Sequence, residues 1–369
     1  MTGDILLVLV IATALGFDFT NGFHDTANVV ATSISTRALS PRLAVALAAA
    51  MNFAGAFISL KVAATIGSGI VAAGAVTMQI VFAGLVGAIA WNVATWYFGL
   101  PSSSSHALIG GVVGAMLAAH GTAAVDFAGL VGKVVIPALI SPLLAFLVAA
   151  AAIVLTYRLV ARLRPGPAAR GFRAGQVLSG GMLALAHGTN DAQKTMGVIT
   201  LALIAHGSID ANHFSVPPWV VASAASAIAL GTYAGGWRII RTLGSRIIRM
   251  DAAQGFTAQS AGAAVVLAAS HVGFPLSTTH VMAGGVMGAG AGKRISAVRW
   301  GVAGNMAIAW VLTLPAAAAA GAAVYGVTHI FGGGLLGPAL ITGAALAGAL
   351  AGALRRGRAI DPRSVGARP

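Results

Sequence analysis

The sequence predicts an all-α polytopic membrane protein with about ten to twelve transmembrane segments in two inverted-topology repeats that contain broken helices or re-entrant hairpins. Of its 369 residues, 58% are hydrophobic and only 8% are charged, whereas a soluble domain carries about 25% charged residues. Such a chain cannot cover a water-facing surface. The placement of the arginines and a pair of duplicated polar motifs are the other two observations behind this prediction.

Ten apolar stretches lie along the chain, several of them near or above the roughly 20 residues that cross a bilayer as a helix. They cover residues 5–17, 43–65, 78–100, 104–120, 126–157, 176–206, 216–236, 258–292, 300–326 and 334–354. Some are too short or too rich in glycine for a simple crossing, so we expect half-helices or re-entrant hairpins among them. No basic residue precedes the first stretch, so we expect no cleaved signal peptide.

Basic residues gather between these stretches and at the carboxyl end in five clusters. They are Arg37 and Arg42, Arg158 to Arg173, Arg238 to Arg249, Lys293 to Arg299, and Arg355 to Arg368. Short basic loops remain on the cytoplasmic side of a membrane. Because even numbers of apolar stretches separate the clusters, with the parity of 258–292 assumed, all five clusters and the carboxyl terminus are predicted to be cytoplasmic. No basic segment is interleaved with aromatic residues on a polar surface, as nucleic-acid binding would need, so nucleic acid is not a predicted partner, whereas the lipid bilayer is.

Two motifs occur once in each half of the chain. Residues 101–115 (PSSSSHALIGGVVGA) align without gaps on residues 275–289 (PLSTTHVMAGGVMGA), with eight of fifteen positions identical. Residues 22–28 (GFHDTAN) match residues 188–194 (GTNDAQK) more weakly, with the glycine and the aspartate in register. The first aspartate motif runs towards a basic loop and the second runs away from one, so the two copies are predicted to point oppositely through the membrane, as in secondary transporters.

These features divide the chain into four predicted parts. Residues 1–157 form the first transmembrane repeat, with signatures at 21–32 and 101–115, and residues 158–175 form a short basic cytoplasmic loop. Residues 176–333 form the second, inverted repeat, with signatures at 186–197 and 275–289. Residues 334–369 add a further span and a basic cytoplasmic tail.

The proline and hydroxyl runs predict a chain break followed by the amino terminus of a helix, with Ser or Thr as its cap. Free backbone N–H groups and the positive end of the helix dipole attract anions, so two converging helix ends would hold a small tetrahedral oxyanion. The candidate hydroxyl donors are Ser103, Ser104, Ser105, Ser277, Thr278 and Thr279. The alternative is that these side chains only cap helices or bond back to the preceding turn.

Asp25 and Asp191 are predicted to carry the coupling ion, since ionisable groups inside membrane segments usually mark an ion or proton path. Asn21, Asn28 and Asn190 would complete an oxygen shell around them, and Asn21, Asn190 and Gln193 are also candidate contacts to the anion. The alternative is that each aspartate caps a half-helix. Asp18 lies seven residues before Asp25, on the same helical face if the helix is unbroken.

The residues leave other roles and classes open. The sequence is compatible with either a structural or a functional role for His24, His106, His280 and Lys194. A serine–histidine hydrolase is disfavoured because no G-x-S-x-G elbow surrounds the serines. An ATP-driven pump is disfavoured because Gly292-Lys293 lacks the phosphate-loop pattern, and a passive channel would need a continuous polar path. No cofactor, fixed metal site or disulfide is expected, and the chain has no cysteine.

The sequence resembles the inorganic phosphate transporter (PiT) family, and most of all its bacterial low-affinity, proton-coupled phosphate transporters. The resemblance is carried by NGFHDTANVVAT (21–32), WNVATWYFGLPSSSSHAL (91–108), AHGTNDAQK (186–194), AQGFTA (253–258), FPLSTTHV (274–281) and WVLTLPAA (310–317). These segments lie in both halves and are specific in combination.

The resemblance implies a dimeric transporter of the bacterial cytoplasmic membrane that holds phosphate between half-helix ends and binds coupling ions near Asp25 and Asp191. Sodium-coupled relatives carry glutamates where this chain has Asn52 and Gln259, which favours H⁺ as the coupling ion and leaves Na⁺ as the alternative. Phosphate is expected either free or as a neutral metal–phosphate complex, as in the bacterial branch. Sulfate is the alternative substrate, because the two oxyanions differ mainly in protonation.

Overall fold

The computed structural model describes residues 2–68, 70, 73–162, 164–210, 213–332 and 334–355, and most of these residues are helical, with no strand among them. The α-helices of this part of the chain are α1 Thr2–Ser35, α2 Pro41–Gly55, α3 Lys61–Ser68, α4 Met78–Phe98, α5 Ser104–His120, α6 Phe127–Leu130, α7 Ile136–Val160, α8 Pro165–His206, α9 Pro218–Ala234, α10 Trp237–Arg241, α11 Ala252–Val272, α12 Thr278–Lys293, α13 Trp300–Ile330 and α14 Leu336–Arg355. Two π-helical turns, Val131–Val135 and Thr242–Arg246, follow α6 and α10.

The helices follow the predicted apolar stretches. The stretch at 43–65 is broken between α2 and α3, and the stretch at 258–292 is broken between α11 and α12, where Pro275 interrupts the chain. The basic loop predicted at 158–175 is wrong for residues 165–175, which form the first turns of α8. Proline at the start of a helix lacks only an N–H group that would have no partner there, so Pro165 begins this helix without cost.

Four helical segments are long and apolar enough to cross a bilayer: Thr2–Ser35, Met78–Phe98, Phe127–Val160 and Trp300–Ile330. The pair Pro218–Ala234 and Trp237–Arg246, bent by 59°, would be a fifth. These are counts within the described residues, and the total of ten to twelve segments stays a prediction.

The two long helices that carry the aspartate motifs, α1 and α8, run antiparallel and in contact. Contacts along them pair Asp4 with His206, Asp25 with His187, and Thr36 with Gln176. As residue numbers rise along α1, the numbers of the partners fall along α8. This is the relation that inverted repeats require of two equivalent helices.

The two halves also pack against each other at aligned glycines of the repeated motif, Gly114 in α5 and Gly288 in α12. α5 packs along α13 of the second half, and α12 packs along α7 of the first half. A Cβ atom at Gly114 would lie 1.9 Å from the carbonyl oxygen of Ala318, and one at Gly288 would lie 2.1 Å from that of Phe146. Only glycine leaves room for a neighbouring helix backbone at this distance, which explains why these glycines recur in both copies of the motif.

Four of the five basic clusters gather at one end of the bundle. Hydrogen bonds at this end join Thr36 to Gln176, Gln176 to the carbonyl of Ala252, Tyr157 and Lys293 to Asp251, and Arg299 to the carbonyl of Ser245. Asp4 and His206 lie at the opposite end of α1 and α8. Most of the fifth cluster, from residue 356 onwards, lies outside the described residues.

Candidate substrate and coupling site

Asp25 and Asp191 face each other in the middle of α1 and α8, and both side chains are buried. Since neither residue is at a helix end, the alternative that they cap half-helices is wrong. His187, one turn before Asp191, lies between them: its Nε2 atom is 3.3 Å from Asp191 Oδ2 and 4.0 Å from Asp25 Oδ2. The antiparallel pairing of α1 and α8 thus brings together two carboxylates that are far apart in sequence.

The amino termini of α5 and α12 converge on Asp25. Ser103 and Ser277 are their caps, because each hydroxyl accepts the backbone N–H of the histidine three residues later. For these two serines the capping alternative holds. The rings of His106 and His280 pack edge to face, with centroids 4.9 Å apart, so the two helix starts are direct neighbours.

The hydroxyls that follow the caps are directed at Asp25. The Ser104 hydroxyl lies 2.7 Å from Asp25 Oδ2 and 2.6 Å from Asn21 Oδ1. Thr278 and Thr279 each lie 3.4 Å from an oxygen of the same carboxylate. Three hydroxyls from two halves of the chain therefore surround one buried acid.

Asn28 connects α1 to the second helix start. Its Nδ2 atom donates to the Thr279 hydroxyl at 2.9 Å, while its Oδ1 atom is buried and has no hydrogen-bond partner among the described residues. Thr279 in turn lies beside Asp25. Of the predicted site residues, Asn21, Asn28, Ser104, Thr278 and Thr279 are thus gathered around Asp25.

Asp191 is held by a cation instead. The ammonium group of Lys194, one turn later on α8, donates to Asp191, to the Ser105 hydroxyl at 2.5 Å, and to the carbonyl of Leu276 at 2.8 Å. Lys194 occupies the place of Asn28 in the aligned motif, so the second copy has a fixed positive charge where the first has an amide. Ser105 is a ligand of this ammonium and also lies 3.2 Å from the Leu276 carbonyl.

His24 links Asp25 to further polar groups. Its Nδ1 atom is 2.6 Å from Asp25 Oδ1, and its Nε2 atom is 3.2 Å from the Thr95 hydroxyl and 3.4 Å from the Ser102 hydroxyl. Both ring nitrogens thus have partners. With His187, this histidine extends a chain of buried titratable groups from His24 through both aspartates to Lys194.

The hydrogen-bond partners of Asn190 and Gln193 lie outside this cluster. Asn190 donates to Ser270 and to the carbonyl of Phe274, and thereby holds the loop that leads to α12. The Oε1 atom of Gln193 accepts the backbone N–H groups of Val62 and Ala63, at the start of α3. As candidate phosphate contacts, both residues are therefore placed less favourably than Ser104 or Thr278.

Sequence reasoning missed His187 and Thr95. The signal for His187 is its spacing of four residues before Asp191, which places both side chains on one face of a helix. Thr95 carries no comparable signal, because α4 comes near His24 only through the tertiary fold. Asn52 and Gln259 also lie in this polar core: Asn52 Oδ1 is 3.1 Å from His187 Nδ1, and Gln259 bonds Ser33 and Ser179.

Three groups of this cluster could hold a metal ion. Asp25, His187 and Asp191 each offer a ligand atom, and these atoms lie within 4.8 Å of one another. Carboxylate and imidazole together suit several divalent cations.

Comparison with known proteins assigns the chain to a protein family. A model of the Phosphate transporter family matches residues 21–170 and 165–321. Proteins named "Probable low-affinity inorganic phosphate transporter" include one from Mycobacterium bovis, 54% identical over 340 residues that cover 91% of this chain and 81% of the relative. Another, from Bacillus subtilis, is 43% identical over 325 residues that cover 87% of this chain and 96% of the relative.

A solved structure named "The sodium-dependent phosphate transporter" has the same fold: it aligns with a TM-score of 0.80 over 88% of this chain and 99% of its own, at 24% identity. The family match spans both halves, including both aspartate motifs and both hydroxyl runs. The relatives are named for transport and not for catalysis, which agrees with the prediction that the protein is not a serine–histidine hydrolase. The chain belongs to the phosphate transporter family.

Proposed function

We propose that this protein imports inorganic phosphate by proton symport and holds the anion between the amino termini of α5 and α12. The observation that carries the proposal is the buried chain of titratable groups from His24 through Asp25, His187 and Asp191 to Lys194. Chains of acids and histidines within membrane segments are typical of proton paths.

The helix starts support an anion as cargo. Two positive helix ends meet there, and hydroxyls next to their caps are within reach of a ligand. Asp25 would disfavour a fully ionised oxyanion but would accept a hydrogen bond from one that carries a proton. Phosphate keeps a hydroxyl at neutral pH and sulfate does not, so an acceptor carboxylate at this place favours phosphate over the alternative, sulfate.

Charge balance supports a co-transported cation. With neutral histidines, two carboxylates and one ammonium group give the cluster a net charge of −1, and entry of HPO₄²⁻ would make it −3. A buried charge of that size is unfavourable unless it is compensated. Protonation of the histidines or of Asp25 compensates it within the site.

The partners of Asp191 favour H⁺ over Na⁺. Small hard cations prefer shells of oxygen atoms, whereas Asp191 is bound by the Lys194 ammonium and approached by a histidine ring. The solved relative is named sodium-dependent, and sodium coupling therefore remains the alternative that the experiment below must separate.

Transport of a neutral metal–phosphate complex is a second candidate, favoured by the cluster of Asp25, His187 and Asp191. Such a complex would add no net charge to the site, and the cation would be cargo. We further propose that the protein lies in the bacterial cytoplasmic membrane as a homodimer with its basic end inside. The gathering of four basic clusters at one end supports this orientation.

The test is uptake into proteoliposomes loaded with purified protein, with an imposed proton gradient, an imposed sodium gradient, or neither. We expect phosphate uptake driven by the proton gradient alone, with weaker sulfate uptake. A strict sodium requirement would reject proton symport, and sulfate uptake above phosphate uptake would reject the substrate. Measuring uptake of phosphate and of a divalent metal with and without each other separates the free anion from the complex.

A further inference from the structure

Asp18 is a buried carboxyl group that the proposed site does not use. It lies on α1 two turns before Asp25, its side chain is fully buried, and neither of its oxygens has a hydrogen-bond partner of good geometry among the described residues. Its polar neighbours are the Thr195 hydroxyl of α8 and the amide of Asn21, one turn later on α1, and both of these groups are uncharged. An isolated ionised carboxylate is so costly in such surroundings that the group binds a proton instead.

The charged groups around Asp18 do not neutralise it. From α8 these groups are Asp191 and Lys194. Asp191 is itself acidic and so cannot neutralise Asp18. An ammonium group has three N–H donors, and those of Lys194 donate to Asp191, to Ser105 and to the carbonyl of Leu276.

The other helices that pack on α1 offer no free cation at this level. α4 and α9 carry no acidic, basic or histidine residue. α5 and α12 bring His106 and His280, but these rings pack against each other. His120 at the end of α5 and His271 at the end of α11 are exposed, and Lys293 of α12 bonds Asp251 at the basic end. The basic residues of α2 and α10 belong to the basic end of the bundle, beyond Asp25 along α1.

We infer that Asp18 is a further proton-binding site, neutral in this conformation, that releases its proton when α1 and α8 part and water reaches the carboxyl. Asp18 and Thr195 lie on the Asp4–His206 side of the two central aspartates, opposite the basic end. A proton that enters from that side meets Asp18 before Asp25. The role in transport rests on the proposed proton symport, whereas the presence of the bound proton does not.

The bound proton is tested by infrared spectroscopy of the purified full-length protein at neutral pH. We expect a carboxylic-acid C=O stretch in the wild type that is missing from Asp18→Asn and retained in Asp4→Asn, whose carboxylate lies exposed on the same helix. A spectrum of Asp18→Asn identical to that of the wild type in this region overturns the inference. If Asp18→Asn does not fold, Asp18→Glu must show the acid band at a shifted frequency.

The role in coupling is tested by comparing two transport modes in proteoliposomes. Asparagine resembles the protonated acid, so Asp18→Asn should retain exchange of external for internal phosphate, which needs no release of a proton. It should lose net uptake driven by a proton gradient, while Asp4→Asn retains both modes. Net uptake by Asp18→Asn equal to that of the wild type would show that this proton does not move during transport.

These two measurements separate the inference from the proposed function. If wild-type uptake proves to be driven by sodium and not by protons, proton symport fails, yet the infrared band still decides whether Asp18 holds a proton. If wild-type uptake is driven by protons and the band is absent, proton symport stands and the inference about Asp18 fails.

Discussion

Lys194→Met removes the only ammonium group that contacts Asp191 within the described part of the chain. The lysine and the aspartate are buried, with side-chain exposures of 1% and 0%. Removal of one partner from a buried ion pair costs about 3–5 kcal/mol, because the other charge is left uncompensated. The unfolding entropy is about 2.1 cal/mol/K per residue, so over 369 residues this cost lowers the melting temperature by roughly 4–6 °C.

The chain contains a matched control in the pair of Lys293 and Asp251. Their side chains are 52% and 39% exposed, and such a surface pair contributes only about 0–1 kcal/mol. Lys293→Met should therefore lower the melting temperature by about 1 °C or less on the same scale. Both variants are measured by thermal unfolding in one detergent, followed by tryptophan fluorescence.

A double variant distinguishes lost charge balance from lost packing. Asp191→Asn combined with Lys194→Met removes both charges of this ion pair, so it should be more stable than Lys194→Met alone, in which the charge of Asp191 has lost its partner. Equal melting temperatures for Lys194→Met and Lys293→Met, or a double variant no more stable than the single one, would refute the idea that Lys194 is the fixed counter-charge of Asp191.

Three further predictions follow from the site, the packing and the basic end. Asp25→Asn and Asp191→Asn should each abolish proton-driven phosphate uptake in proteoliposomes while the protein still elutes as a folded species in size-exclusion chromatography; uptake at the wild-type rate by both would assign them structural roles only. Gly114→Ala should lower the yield and melting temperature strongly, because its Cβ would overlap the α13 backbone. The control Gly326→Ala, with no atom within 4 Å of the added Cβ, should be neutral or stabilising by up to about 1 kcal/mol. Similar effects at both positions would contradict the close packing of α5 on α13. Burial acts to raise the pKa of Asp251, but hydrogen bonds from the phenol, backbone N–H and ammonium donors around it outweigh burial and lower this pKa. The stabilisation that its carboxylate contributes is therefore complete above pH ~4 and is lost as the pH falls through the lowered folded-state pKa. Between pH 6 and pH 3 the melting temperature of Asp251→Asn should fall less steeply than that of the wild type, and an equal fall in both proteins would disprove this.

Much of the fold could be predicted from the sequence because the breaks between helices have local causes. Pro275 followed by Ser277 and two threonines marks the start of α12 through backbone geometry and capping alone. The equivalent run places the start of α5 at Ser104, the first residue of its predicted apolar stretch. The extent of α1 and α8 was underestimated, because their polar motifs lower the hydropathy of segments that tertiary packing keeps helical.

The partners in the site depend on contacts that sequence patterns do not encode. The pattern predicts a coupling-ion role for Asp25 and an anion role for Ser104 and Thr278, without a contact between them, and the structure places both hydroxyls at that carboxylate. The pattern does not show that Gln193 turns to the start of α3, since its position in the motif resembles that of its neighbours. Which side chains of α8 face the cluster around Asp25 and Asp191, and which face α3, depends on how α1, α3 and α8 pack against one another.

The duplication is conserved in its frame and altered in its chemistry. Each copy keeps one aspartate, but the residue three positions later is Asn28 in the first copy and Lys194 in the second. The charge of Asp191 is therefore balanced by a lysine ammonium group, whereas Asp25 has three hydroxyls and the ring of His24 as partners, and His187 lies between the two carboxylates. Within the described part of the chain no lysine or arginine contacts Asp25, whereas the ammonium group of Lys194 contacts Asp191. The two copies of the motif therefore differ in their electrostatics: the first presents a carboxylate without a fixed counter-charge to the helix starts, and the second presents a carboxylate paired with a lysine.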